Sequence, residues 1–159
     1  MNEAMSLEAI KAAIPHREPF LLIDEIVEQE ENRIVCRKTF KGDEFWYAGH
    51  YPQFPITPGV LLCEAAMQAG AVLLSKKLSA EDVAGGAVPV ATRANNVQFK
   101  KMVLPGDTVL IEAQLVEKLG GAFFLNAKIT VGGKVAVRFD FACTLTKPGH
   151  VRGIENDGQ

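Results

Sequence analysis

The sequence predicts an α+β domain in which an antiparallel sheet wraps around one long central helix. If Cys63 is counted as apolar, residues 60–74 carry only Glu64 and Gln68 as polar side chains, which indicates a buried helix. In residues 108–146, three stretches of alternating apolar and polar side chains are separated by Gly-Gly pairs, as in a β-meander. The sheet can bury its apolar face by packing around the helix.

Length and composition indicate a single globular domain. We assign residues 1–147 of the 159 to it and residues 148–159 to a flexible tail. The formal net charge of −2 does not indicate nucleic-acid binding. No stretch reaches the ~18 apolar residues of a membrane span. Three widely spaced cysteines suggest neither a disulfide framework nor a zinc site, and the N-terminus does not resemble a signal peptide. We therefore expect a cytoplasmic protein.

The N-terminal part is expected to contain a short helix, a turn and two strands. Ser6 is the predicted N-cap of the helix, and residues 15–19 (PHREP) form an extended turn. Residues 20–28 and 33–40 predict two strands.

After the central helix, small and polar residues 79–87 predict a loop. Four strands should follow it, at residues 88–99, 108–116, 122–131 and 134–146.

The loop before the central helix holds a histidine in a rigid setting. Three prolines within residues 52–58 restrict φ, so His50 can keep the defined position that a general base requires. Pro58-Gly59 suits a helix start, whose free N–H groups are placed to hold an oxyanion. The alternatives are a surface role for His50 and a structural, paired carboxylate at Glu64.

Several motifs around this loop together resemble one enzyme family. They are Gly49-His50-Tyr51-Pro52, Pro55, Pro58-Gly59-Val60-Leu61, Glu64-Ala65 with Gln68, Pro15-His16-Arg17, Pro19-Phe20-Leu21 with Asp24, Val97-Gln98-Phe99-Lys100 and Pro105-Gly106-Asp107. In this order and spacing they closely resemble the β-hydroxyacyl-(acyl carrier protein) dehydratases of type II fatty acid synthesis, the FabZ family. The resemblance covers roughly residues 10–147.

The resemblance implies a hotdog fold and a lyase activity in fatty acid biosynthesis or related lipid metabolism. A (3R)-3-hydroxyacyl-(acyl carrier protein) would lose water to give the trans-2-enoyl thioester, with no metal or other cofactor. His50 would take the α-proton, Glu64 would protonate the leaving hydroxyl, and the Gly59 N–H would hold the thioester oxygen. Glu64, where the related FabA family carries Asp, favours dehydration without isomerisation.

The resemblance also implies partners. Besides the acyl carrier protein, the family forms homodimers with shared active sites, in which His50 of one subunit would meet Glu64 of the other. These dimers often assemble further into hexamers, as trimers of dimers. Gln68 either orients Glu64 or a water molecule, or makes a structural hydrogen bond, and His16 is expected to serve structure only.

Two further groups of residues are candidates for substrate contacts. The acyl tunnel candidates, each of which could instead be ordinary core, are Phe20, Leu21, Val60, Leu61, Val90 and Phe99. The carrier docking candidates, which could instead be a solvated charged face, are Arg93, Lys100 and Lys101.

Two other functions remain open on the same scaffold. One is a hotdog acyl thioesterase, which would need a carboxylate to activate water at the thioester carbon and would not need His50. The other is a non-catalytic subunit that binds acyl carrier protein, in which one member of the His50–Glu64 pair would be absent.

Overall fold

The computed structural model describes residues 2–150, which form one sheet, one long helix and short flanking helices. The elements are, in chain order, α1 Glu3–Ala13, β1 Glu25–Gln29, β2 Arg33–Thr39, α2 Gly59–Ser75, α3 Ala80–Ala84, β3 Val88–Phe99, β4 Thr108–Leu119, β5 Ala122–Val131, β6 Lys134–Thr146 and a 3₁₀ turn at Pro148–His150. Residues 151–159 of the predicted tail lie outside the described residues.

The six strands make one antiparallel sheet in the order β1-β2-β4-β5-β6-β3. Strands β4, β5 and β6 form the predicted meander. Gly132 and Gly133 connect β5 to β6 with φ of 56° and 75°, and a tight hairpin turn favours glycine at two such positions. The alternating residues of β5 from Phe123 to Val131 are buried, as their pattern predicts.

Helix α2 packs against strands β2 to β6, which confirms the predicted hotdog arrangement. Its small residues let the sheet approach closely, because a Cβ at Gly70 would lie 2.7 Å from Cζ of Phe141. Ala65, Ala66 and Ala69 are fully buried in the same core. The opposite side of the helix is less covered, since Val60 is exposed and Glu64 is only half-buried.

Strand β3 forms one edge of the sheet. It pairs with β6 on one side, and all of its residues after Pro89 are exposed. Such an edge presents unpaired backbone groups that another strand can take up. No helix in the described residues is both long and apolar enough to cross a membrane.

Two predictions for the N-terminal part are wrong. Asn2, not Ser6, caps α1, because its side chain accepts a hydrogen bond from the Met5 N–H, whereas Ser6 is buried and accepts one from the Ile26 N–H. Within the strand predicted at 20–28, only the part that belongs to β1 forms a strand. At Phe20 and Leu22 the backbone hydrogen bonds go to the Gln68 side chain and not to a neighbouring strand.

The loop predicted at 79–87 is also wrong in part. It contains the short helix α3, which Ser79 caps by accepting a hydrogen bond from the Asp82 N–H. Strand β4 continues three residues past the predicted end at Val116, to Leu119.

Candidate active site

Two backbone hydrogen bonds fix the position of His50. The His50 N–H donates to the Trp46 carbonyl over 2.9 Å, and the Ile56 N–H donates to the His50 carbonyl over 3.1 Å. Because Trp46 is buried against Phe40, the loop begins from a point anchored in the core. The loop is therefore held at both ends, as the prolines in it suggest.

A second contact ties the loop to the start of α2. The Tyr47 hydroxyl and the Thr57 hydroxyl lie 2.6 Å apart, and both side chains are buried. Burial raises the pKa of Tyr47, while its hydrogen bonds partly oppose that shift. The Thr57 N–H donates to the Val103 carbonyl over 2.8 Å, which attaches the same corner to the segment after β3.

The imidazole of His50 has a defined tautomer. Its Nδ1 lies 2.9 Å from the Ile56 carbonyl oxygen. Because a carbonyl oxygen only accepts, Nδ1 must carry the proton in this hydrogen bond. The lone pair of the neutral ring is then on Nε2, which leaves that nitrogen able to act as a base. The ring stacks on Tyr51 with centroids 4.5 Å apart.

His50 lines an open cavity of about 680 Å³ at the start of α2. Of the candidate residues, Gly59, Val60, Phe99, Lys100 and Lys101 lie around this cavity. Val60 is 71% exposed and Phe99 is 58% exposed, so the cavity has an uncovered apolar wall. Lining residues that sequence reasoning missed are Ile56, Thr57, Pro58, Leu62, Met102, Val103 and Val137.

The other substrate-contact candidates lie elsewhere in this subunit. The cavity lining does not include Phe20, Leu21, Leu61 or Val90. Leu21 is buried in the core and Phe20 is exposed. Arg93 lies over the ring of Phe124, 6.0 Å from its centroid, and also does not line the cavity.

Glu64 does not line the His50 cavity. Gln68 Nε2 donates to Glu64 Oε1 over 3.1 Å. The same amide donates to the Phe20 carbonyl and accepts from the Leu22 N–H, each over 2.8 Å. Gln68 is 1% exposed, and both the oxygen and the nitrogen of its amide have hydrogen-bond partners. These partners fix which end of the amide carries the oxygen. Gln68 therefore makes structural hydrogen bonds and also contacts Glu64, while its role in a reaction stays a prediction.

His16 is the neighbour of Glu64 that the sequence did not predict. Its Nε2 lies 3.5 Å from Glu64 Oε1, and the two side chains are 28% and 27% exposed. Glu64 is thus less buried in this subunit than its apolar helix suggested. The Pro15-His16-Arg17 motif is the sequence signal for this neighbour, although its pattern alone predicts only a structural role.

Comparisons with known proteins show which family this chain belongs to. A family model described as the FabA-like domain matches residues 14–140, which include His16, His50, Glu64 and Gln68. A 3-hydroxyacyl-(acyl carrier protein) dehydratase FabZ from Clostridium perfringens strain SM101 is 40% identical over 132 residues, covering 83% of this chain and 92% of that protein. The protein of the same name from Staphylococcus aureus strain Newman is 39% identical over 147 residues, covering 92% and 95%.

Among solved structures, a dehydratase heterocomplex, ApeI:P, from Xenorhabdus doucetiae superposes with a TM-score of 0.70. Its identity is 16%, with 88% of this chain and 92% of that chain covered, so it supports the fold alone. The matches to the FabA-like domain and to the two dehydratases extend over most of the chain. The chain therefore belongs to the FabZ family of 3-hydroxyacyl-(acyl carrier protein) dehydratases.

Proposed function

We propose that this chain removes water from a (3R)-3-hydroxyacyl-(acyl carrier protein) to give the trans-2-enoyl thioester. The single observation that carries the mechanism is the hydrogen bond from His50 Nδ1 to the Ile56 carbonyl. It leaves Nε2 as the free basic nitrogen, at the wall of a cavity that also contains the start of α2.

In the proposed reaction, His50 Nε2 takes a proton from the carbon next to the thioester carbonyl. The electron pair of that C–H bond forms the new double bond as the C–O bond to the hydroxyl breaks. The Gly59 N–H lies at the first position of α2, where no earlier helical carbonyl pairs with it, and can hold the developing enolate oxygen. Glu64 gives its proton to the departing hydroxyl, which leaves as water.

We propose that the His50 and Glu64 of one reaction come from two subunits. Glu64 does not line the cavity of His50, and it lies on the less covered side of α2. Strand β3 offers an exposed edge, and Phe99 at its end belongs to the uncovered cavity wall. Pairing of two β3 edges about a twofold axis would bring Glu64 of the partner toward this cavity. Assembly of three such dimers into a hexamer is part of the proposal and can be tested by sedimentation.

Mixed dimers provide the decisive experiment. Dehydration of a 3-hydroxyacyl thioester is followed at the enoyl absorbance for the wild type, His50→Ala and Glu64→Gln. We expect each variant to lose at least about 100-fold in kcat while remaining folded. A mixture of the two variants should regain activity, because half of the sites in a mixed dimer carry both intact residues. Wild-type rates in either variant, or release of free thiol without enoyl product, would contradict the proposal.

Lys100 and Lys101 are the proposed docking residues for the carrier protein, because they border the cavity mouth. We expect Lys100→Glu/Lys101→Glu to raise KM for the carrier-bound substrate much more than KM for a short acyl thioester without carrier. Arg93→Glu is the comparison, since Arg93 lies outside the cavity lining. Equal effects on both substrates would argue against docking.

The cytoplasm is the proposed location. Cys36, Cys63 and Cys143 are all free thiols in the described residues, as is usual in a reducing compartment. Fractionation of cells that express the chain at its native level tests this assignment.

A further inference from the structure

The Pro15-His16-Arg17 segment makes contacts that the proposed reaction has not yet used. His16 Nε2 faces Glu64 Oε1 at 3.5 Å, the same oxygen that accepts a hydrogen bond from Gln68 Nε2. Two nitrogen donors from different parts of the chain thus converge on one oxygen of the carboxyl group. The other oxygen, Oε2, is left for a different partner.

Arg17 fixes the backbone that carries His16. One guanidinium nitrogen of Arg17 donates to the His16 carbonyl over 2.6 Å and to the Ile14 carbonyl over 2.9 Å, and the other donates to the Lys11 carbonyl over 3.0 Å. These contacts attach the segment to the C-terminal end of α1, where a cation is favourable. The Arg17 carbonyl also accepts from the Phe20 and Leu21 N–H groups, so the segment is held on both sides.

The surroundings of His16 select one tautomer. Its Nδ1 is shielded from solvent, and none of the residues that the structure describes gives it a hydrogen-bond partner. A doubly protonated ring would bury an N–H group without an acceptor at that position, which is costly. A neutral ring with its hydrogen on Nε2 buries no unpaired N–H at Nδ1, and it places a donor 3.5 Å from Glu64 Oε1.

We propose that His16 is a positioning residue which, as a neutral donor, holds Glu64 Oε1 together with Gln68. This inference rests on the proposed role of Glu64 as proton donor. A carboxylic acid carries its proton on one oxygen, and the oxygen that accepts from Gln68 and lies 3.5 Å from His16 Nε2 is the unprotonated one. The proton is therefore directed to Oε2, and this oxygen would give it to the leaving hydroxyl. A cation at position 16 would instead stabilise the carboxylate and remove the proton donor.

The test compares three substitutions that keep or remove a neutral donor. His16→Gln retains an amide donor, His16→Ala removes the donor, and His16→Lys replaces it with a cation. We expect His16→Ala to lose about 10- to 100-fold in kcat with KM little changed, because the acid is misplaced and not lost. His16→Gln should recover most of that loss, and His16→Lys should lose at least as much as His16→Ala.

The same substitutions in a Glu64→Gln background distinguish positioning from structure. If His16 acts through Glu64, His16→Ala causes no further loss in this background, because the group it positions has already been removed. Equal kcat losses in His16→Gln and His16→Ala, persisting in the Glu64→Gln background, would overturn the inference and leave the dehydratase assignment intact. Wild-type activity of Glu64→Gln alone would instead overturn the proposed role of Glu64, and with it that of His16.

Discussion

Gly59 and Phe99 are in such close contact that a Cβ at position 59 would lie 2.5 Å from Cε1 of the Phe99 ring. The glycine at the start of α2 is therefore favoured by its neighbour, because a side chain there would meet the Phe99 ring. The ring lies beside the residue whose N–H we propose as the oxyanion donor, and both residues line the cavity. Substitutions at either position should change the shape of this cavity.

We expect Gly59→Ala to lower kcat/KM at least about tenfold with little change in melting temperature. The new methyl group must displace the Phe99 ring, and this is cheap for stability because that ring is more than half exposed. Gly59→Ala/Phe99→Leu should recover part of the activity, since the smaller side chain leaves room for the methyl group. Enoyl absorbance assays with thermal melts of both variants would check this, and a double variant no better than the single one would count against it.

Gln68→Leu should destabilise the fold strongly, because it removes the partner of the Leu22 N–H and of the Phe20 carbonyl. Leaving the buried Leu22 N–H and the part-buried Phe20 carbonyl unpaired costs about 2–5 kcal/mol in total. Urea denaturation measures the loss. Gln68→Glu is the matched variant, because it keeps the acceptor for Leu22 but cannot donate to Phe20 when ionised. An unchanged midpoint in Gln68→Leu would show that the segment finds other partners.

Tyr47→Phe removes one hydroxyl from the contact that ties the His50 loop to α2. We expect a loss of about 1–2 kcal/mol in the free energy of unfolding, because the Thr57 hydroxyl is left buried without this partner. A fall in kcat should accompany it as the loop loosens. Tyr51→Phe is the control for stability, since Tyr51 is exposed and keeps its ring against His50. Equal melting temperatures of the two variants would contradict this view.

Glu44 should contribute stability that disappears in acid. Its carboxylate accepts from the N–H groups of Lys41 and Gly42, each over 2.8 Å. Burial raises the pKa of Glu44, but the backbone hydrogen bonds outweigh it, so this pKa lies below the ordinary value of 4.5. The stabilisation is complete above the unfolded pKa and is lost as the pH falls through the lower folded pKa.

We therefore expect Glu44→Gln to unfold at lower urea than the wild type near neutral pH, with the difference disappearing as the pH falls through the lowered pKa of the Glu44 carboxyl. Urea titrations across this range provide the measurement. A difference that stays constant into the acid range where the Glu44 carboxyl is protonated would mean that Glu44 acts by packing and not by charge.

The sequence contained local signals for the loop and the central helix. Prolines flanked by an apolar run marked the start of α2, and Gly-Gly pairs between alternating stretches marked the meander. These patterns depend on residues a few positions apart. The hotdog arrangement follows because one apolar helix and one apolar sheet face bury each other.

The contacts that Glu64 and Gln68 make with residues far away in the sequence could not be predicted from local patterns. Gln68 bonds to Phe20 and Leu22 across 48 and 46 residues, and it shortens the predicted strand by replacing its partner. His16 and Glu64 are equally remote in sequence. Helix α3 differs from the prediction for another reason. Ser79 and Asp82 form a local capping signal, but the small and polar residues around them favour a loop.

The exposed β3 edge connects folding with the amount of protein present. An outer strand of twelve residues with uncovered N–H and C=O groups is a surface onto which any extended chain can add. If two copies close this edge, each copy acts as a ligand that binds only the native state of the other. The melting temperature should then rise with protein concentration, and a newly made chain would be most prone to aggregate before it has met its first partner.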